Sequence, residues 1–434
     1  MSWSFFLLFG ENIIYLFMFS KPWKIKDGIL VGVGLIVLGL LLQLVTGRVE
    51  WEFFAWPVNL FAVIFLLLIA LTLHLLRKRF AFCGWISSLA SAVPAIGFSL
   101  GLTVVMGLTR QVPSEMPKAA DPIGISQMVR FWPFVLCYAW MALTILTTVM
   151  RRLTTFRWKK DIPFMLCHVG LLLIIVCGTL GNPDLRQLEM TVTEGKSESR
   201  AVSEYDGSLQ SPGFSVKLND FSIDEYPPKV YVVDRASGRP VDRTEFIDTE
   251  VVPFTMTLSG WEVTIEEMLP YAALVMVPDS TRARPDSLHF EPWQGEGAVQ
   301  ALLVRARKDG VSKEEWITCG NHMFPTKVLE LDENLALKMP EPSPKRYSAD
   351  VIVTSSDGKA LESTIAVNKP LKIDGWKVYL VDYDQERGRW SKIAVFELVR
   401  DPWLPFVYVG IFMLLAGAVC MFVLAGSRKS DREL

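Results

Sequence analysis

Residues 163–180, PFMLCHVGLLLIIVCGTL, form an apolar run that carries one ionisable side chain, His168. A run of that length reads as a membrane helix. An imidazole in hydrocarbon is costly without a partner, so it marks a candidate functional position. A basic block, Arg151, Arg152, Arg157, Lys159 and Lys160, precedes the run, and a long polar region follows it. The chain must therefore build two unlike parts, one in lipid and one in water.

Six more apolar stretches share the chain. Residues 3–20 are apolar but interrupted by Gly10, Glu11 and Asn12, and no small-residue cleavage site follows. Residues 1–27 are thus expected to be an interfacial segment rather than a signal peptide. Glu11 is either functional or simply interfacial. Clear spans are expected at 28–45, 57–76, 82–108, 131–150, 163–180 and 403–425. Basic clusters fall before the first, after the second, after the fourth and after the sixth. The positive-inside rule places all four in the cytoplasm, with both termini. The expected organisation is a five-helix transmembrane region at 28–182, an outer domain at 183–400 and a final helix with a cytoplasmic tail at 401–434. His168 then lies roughly 8 Å along its helix from the cytoplasmic end.

The outer domain reads as β. Alternation is plain in Trp261-Glu-Val-Thr-Ile265, Asp350-Val-Ile-Val353 and Trp376-Lys-Val-Tyr-Leu380, with Ser-Asp-Gly and Ile-Asp-Gly turn signals nearby. The fold class is an α-helical polytopic membrane domain plus a large all-β extracytoplasmic domain, the latter an antiparallel sandwich or stacked sheets. The net charge of −2 gives no hint of nucleic acid. Of six cysteines, Cys319 alone lies in the outer domain, so no internal disulfide can close there, and no CxxC pair suggests zinc or thiol exchange. No phosphate loop, HExxH, GxSxG or paired catalytic carboxylates appear, so a self-contained enzyme is not indicated.

His168 has two readings. A neutral ring nitrogen could ligate haem iron between helices, with the basic block near the anionic propionates. It could instead donate a hydrogen bond to a neighbouring helix. Gly170 and Gly178 offer surfaces where another helix can approach. His74, beside Arg77-Lys78-Arg79 at about the same depth, is a weaker alternative ligand, because snorkelling with its basic neighbours also explains it. His289 and His322 lie in polar outer segments and read as surface residues. Cys167 points about 100° from His168 on a helix and reads as a packing residue.

Two stretches carry a family likeness. The first is Phe164-Met-Leu-Cys-His168-Val-Gly-Leu171, continuing through Gly178 to Asp184 and Glu189-Met-Thr-Val-Thr-Glu-Gly195. The second is Val367-Asn-Lys-Pro-Leu371, Gly375-Trp-Lys-Val-Tyr379, Asp382-Tyr-Asp384 and Leu398-Val-Arg-Asp-Pro402, leading into Val407-Tyr-Val-Gly410. Together they resemble the ResB (CcsB) family of system II cytochrome c biogenesis proteins, over about residues 160–425. The resemblance implies a subunit of the bacterial inner membrane that handles haem b in transit, with residues 183–400 periplasmic. It implies a CcsA-like membrane protein and apocytochrome c as partners besides membrane lipid. It also implies that His168 is an axial ligand to haem iron, with the partner giving the second. No tryptophan-rich haem-handling segment of the CcsA type is present, so the chain corresponds to the ResB half. On this reading it is not an enzyme alone but part of a haem-lyase complex. Two other readings are a haem-free scaffold for a CcsA-like partner, and a redox enzyme acting on periplasmic thiols, which the single outer cysteine disfavours.

Overall fold

A computed structural model describes residues 23–112, 120–249, 251–275 and 289–433. Residues 1–22, which hold most of the expected interfacial segment and Glu11, lie outside them. The chain divides into two compact units, 1–186 with 400–434, and 187–399.

Among the described residues of the first unit, six helices are long and apolar enough to cross a membrane. They are α1 (Ile25–Thr46), α2 (Val58–Leu76), α4 (Leu89–Leu108), α5 (Trp132–Leu153), α6 (Trp158–Leu180) and α7 (Leu404–Glu433). A short helix, α3 (Ala81–Ile86), precedes α4. This corrects the continuous span expected at 82–108. Ser88 is extended there, and the Ser87 hydroxyl bonds back to the Gly84 carbonyl. Serines that satisfy the backbone locally compete with helix continuation. A second correction concerns α6, which starts at Trp158 rather than 163. The Asp161 carboxylate accepts the Arg157 N–H at 2.8 Å and so caps the added turn. His168 is therefore about 15 Å from the start of its helix, at 1.5 Å per residue.

The loops sort into two ends. At one, Trp51 Nε1 donates to the Val129 carbonyl, Trp132 Nε1 to the Gly47 carbonyl, and Trp56 N to Asp184. Arg130, 3% exposed, pairs there with Glu50 and Glu52. At the other end Trp23 packs on Phe82 and Trp85, and Arg151 donates to the Ser87 carbonyl. Segments before α1, after α2 and after α5 thus share one end, as alternate crossing requires.

Helices approach where side chains are small. A Cβ on Gly170 of α6 would lie 2.6 Å from the Gly410 carbonyl oxygen of α7. On Gly410 it would lie 2.7 Å from the Gly170 oxygen. Van der Waals packing of backbones at small residues is the usual means of helix association in lipid. A Cβ on Gly178 would meet nothing within 4 Å, so only one of the two expected glycine surfaces is used.

The second unit is built from antiparallel strand pairs, in two sandwiches rather than one. Strands β1 (Arg186–Thr193), β5 (Phe214–Glu225), β15 (Pro344–Ser355), β16 (Ala360–Ala366), β17 (Leu371–Ile373), β18 (Trp376–Tyr383) and β19 (Ile393–Arg400) enclose the first core. That core includes Met190, Val216, Leu218, Val351, Val378 and Phe396. The chain leaves it after β5, makes a second sandwich and returns at β15. The second core gathers Val263 and Ile265 of β9 (Trp261–Val275), Leu302 and Val304 of β11 (Val299–Lys308), and Leu337 of β14 (Leu335–Lys338). Alternate residues Val299 and Ala301 face a smaller third cluster with Phe290 and Trp316. A strand with both faces covered loses its polar alternation. Two-residue turns close three hairpins. At Asp374-Gly375, φ is +48° and +81°, and Ile373 pairs with Trp376. Positive φ at both turn residues is what such a tight hairpin demands, and Asp-Gly supplies it at low cost. Ser259-Gly260 and Asp309-Gly310 repeat the device.

The segment joining β18 to β19 ties the two sandwiches together. Arg389 pairs with Glu225 at 2.9 Å and lies 5.3 Å from the Tyr271 ring centroid. Trp390 Nε1 donates to the Ala298 carbonyl.

Candidate functional site

Helix α6 places Phe164 and His168 four residues apart, on one face. Their rings stack with centroids 3.8 Å apart and planes 24° from parallel. Nδ1 of His168 lies 2.9 Å from the Phe164 carbonyl oxygen. A carbonyl can only accept, so the ring proton is on Nδ1. The lone pair is then on Nε2, which makes no hydrogen bond among the described residues. The side chain is half-buried. A ring held this way at Nδ1 is oriented to offer Nε2 to a metal.

More of the chain supports this ring. The Arg152 guanidinium carbon lies 5.6 Å from the Phe164 ring centroid. Arg152, at the end of α5, forms an ion pair with Asp161, near the start of α6. Asp161 is fully buried. Neither residue was singled out as part of the site in the sequence, where Arg152 counted only as one of a basic block. The readable signal was a lone acid inside that block, with an aromatic residue one turn before the histidine.

His74 is arranged differently. Nη1 of Arg77 lies 3.2 Å from His74 Nδ1. A guanidinium can only donate, so here Nδ1 is the acceptor and the neutral ring carries its proton on Nε2. No lone pair is free for a metal. Neither a hydrogen bond nor a ring contact joins His74 to His168 among the described residues. His289 and His322 are exposed. Cys167 packs beneath α7, where a Cβ on Gly417 would lie 2.6 Å from its Sγ. Among the described residues no three His, Cys, Asp or Glu side chains gather to hold a metal ion. All six cysteines are free. Burial pushes the Cys319 thiol up to about 11, against the opposing pull of Arg389, so it stays protonated near neutrality.

At the far end of the bundle Asp184 joins three helices. It accepts hydrogen bonds from Trp56 N at 2.7 Å, Asn59 Nδ2 at 2.7 Å and Trp403 Nε1 at 2.6 Å. Asn59 also donates to the Leu180 carbonyl. Burial disfavours the ionised carboxyl, but the three donors and the charge of Arg186 outweigh it and hold it below the usual range.

No curated protein matches the chain's sequence. Residues 329–394, from the closing strands of the second sandwich to the start of β19, do match a family model. That stretch matches the ResB-like family, the same family that the two quoted motifs resemble.

Proposed function

We propose that this chain is a membrane subunit of a system II cytochrome c synthase, in which His168 ligates haem b iron through Nε2. The observation that carries the reading is the ring's hydrogen bond from Nδ1 to the Phe164 carbonyl, which leaves one oriented, unpartnered nitrogen within an apolar helix. One donor suits a macrocycle that already fills four positions of its metal, with the remaining axial bond coming from a CcsA-like partner chain. The association of the ResB-like family with cytochrome c biogenesis supports the same role. When bound, the group supplies the porphyrin that is joined to apocytochrome c. The residues of this chain hold and orient it about 15 Å from the start of α6, the end where the basic block lies. The four basic clusters support a cytoplasmic location for that end and a periplasmic one for residues 183–400.

The test is co-purification of this chain with its CcsA-like partner and comparison of the Soret band per complex. His168→Gly is expected to remove most of the band, and added imidazole to restore part of it. A complex that keeps all its haem after this substitution would leave the chain as a scaffold.

A further inference from the structure

We propose that Arg152, Asp161 and Phe164 form a positioning device that fixes the His168 ring in its ligand-offering orientation. The inference rests on His168 being a haem ligand. A histidine's outer torsion is broad, so one hydrogen bond to its own helix restrains the ring only loosely. The stack with Phe164, at 3.8 Å between centroids, removes that freedom. Phe164 is in turn covered by the Arg152 guanidinium, 5.6 Å from its centroid. Arg152 cannot wander, because Asp161 pairs with it and is itself fully buried and bonded to the Arg157 N–H.

Topology does not account for this set. The positive-inside rule explains basic residues near a helix end, and Arg151, Arg157 and Lys160 are exposed as it requires. It has no use for a buried acid among them. Nor does it ask one arginine of the block to fold back over an aromatic ring. The three residues connect the end of α5 to the first two turns of α6, and the chain of contacts ends on His168 in the third. They touch no haem atom on this account. They act through the imidazole.

The experiment uses the co-purified complex loaded with haem b. Three readouts apply: low-spin electron paramagnetic resonance of the ferric form, the absorption spectrum, and the rate of haem loss to an excess of apomyoglobin. Phe164→Leu removes the stack and leaves the ion pair. It is expected to speed haem loss about 10-fold, the scale usual for outer partners of a ligating histidine, and to broaden the low-spin signal as ring orientations multiply. Phe164→Tyr keeps the stack and should restore both. Arg152→Gln and Asp161→Asn should shift the same readouts in the same direction by less. Parental spectra and loss rates in Phe164→Leu overturn the proposal, whether or not the two charge variants accumulate. Retention of haem by His168→Gly overturns the ligand assignment itself. Its loss there, with Phe164→Leu indistinguishable from the parent, overturns only the positioning.

Discussion

His168 and His74 lie on apolar helices, and each ring makes one hydrogen bond through Nδ1. The partners differ in kind. His168 faces a carbonyl and must donate; His74 faces a guanidinium and must accept. The same ring atom therefore leaves opposite tautomers, with a lone pair on Nε2 in one case and a proton in the other. Proximity to a basic cluster made both look plausible as sites. The nature of a single neighbour separates them. The helices also share a fixing point at the far end of the bundle, since Asn59 of α2 bonds to the end of α6 at Leu180 and Asp184. Counted from there at 1.5 Å per residue, His74 is about 22 Å along α2 and His168 about 18 Å along α6, so His74 lies roughly one turn nearer the other membrane face.

The largest expected effect breaks the pair apart. His168→Gly should abolish most haem binding by the complex, while His74→Gly should leave the Soret band within experimental scatter. Equal losses from the two substitutions would mean that the tautomer argument does not choose between them. A finer version probes the chain without haem. Diethylpyrocarbonate acylates the unprotonated ring nitrogen, so His168 should be modified several-fold faster than His74, whose lone pair Arg77 occupies. Mass spectrometry of the two tryptic peptides reads this directly, and a faster His74 would contradict the assigned roles.

A second contrast lies on α6 itself. Gly170 and Gly178 read alike in the sequence, as small surfaces near a functional ring. Gly170 meets the backbone of α7, whereas Gly178 faces open space. Gly170→Leu must push α6 and α7 apart close to His168. Overpacking of this kind costs about 1–3 kcal/mol. It should lower the midpoint of thermal unfolding in detergent and reduce haem per complex. Gly178→Leu should change stability by only about 0.5 kcal/mol or less. Matching losses from the two would remove the helix pair as the support of the site.

Much of the molecule was legible before any coordinates. Apolar run length gave the six long helices, and alternation with Asp-Gly turns gave a β-rich middle. His168 stood out because hydrocarbon leaves few reasons for an imidazole. What stayed hidden depends on neighbours far apart in sequence. The insertion of one sandwich into another cannot be read from strands that look alike. That Asp161 is buried cannot be read from the sequence, because its partner Arg152 is on another helix. The break at Ser87-Ser88 was masked by hydropathy, since serine's cost in helix continuity does not register on an apolar scale.

The smallest expected effect concerns the point that both histidine-bearing helices share. Against the opposing effect of burial, Asp184 is held below the ordinary carboxylate range by three donors from two segments. A carboxyl whose folded pKa is depressed stabilises the fold above its unfolded pKa of about 4, and that contribution fades as pH falls towards the folded value. Asp184→Asn removes the charge but keeps an acceptor oxygen. It should cost about 1–2 kcal/mol at neutral pH, the scale of a hydrogen bond to a charged group less what the amide retains. The variant should also lose part of the parent's destabilisation as pH falls through and below the unfolded value of about 4. Because an amide offers one acceptor oxygen where the carboxylate uses two, the joint loosens, His74 and His168 should be disturbed together, and the ratio of their acylation rates should stay as in the parent. A changed ratio would show that the two ring environments are set by the Asp184 joint rather than by Phe164 and Arg77 beside them.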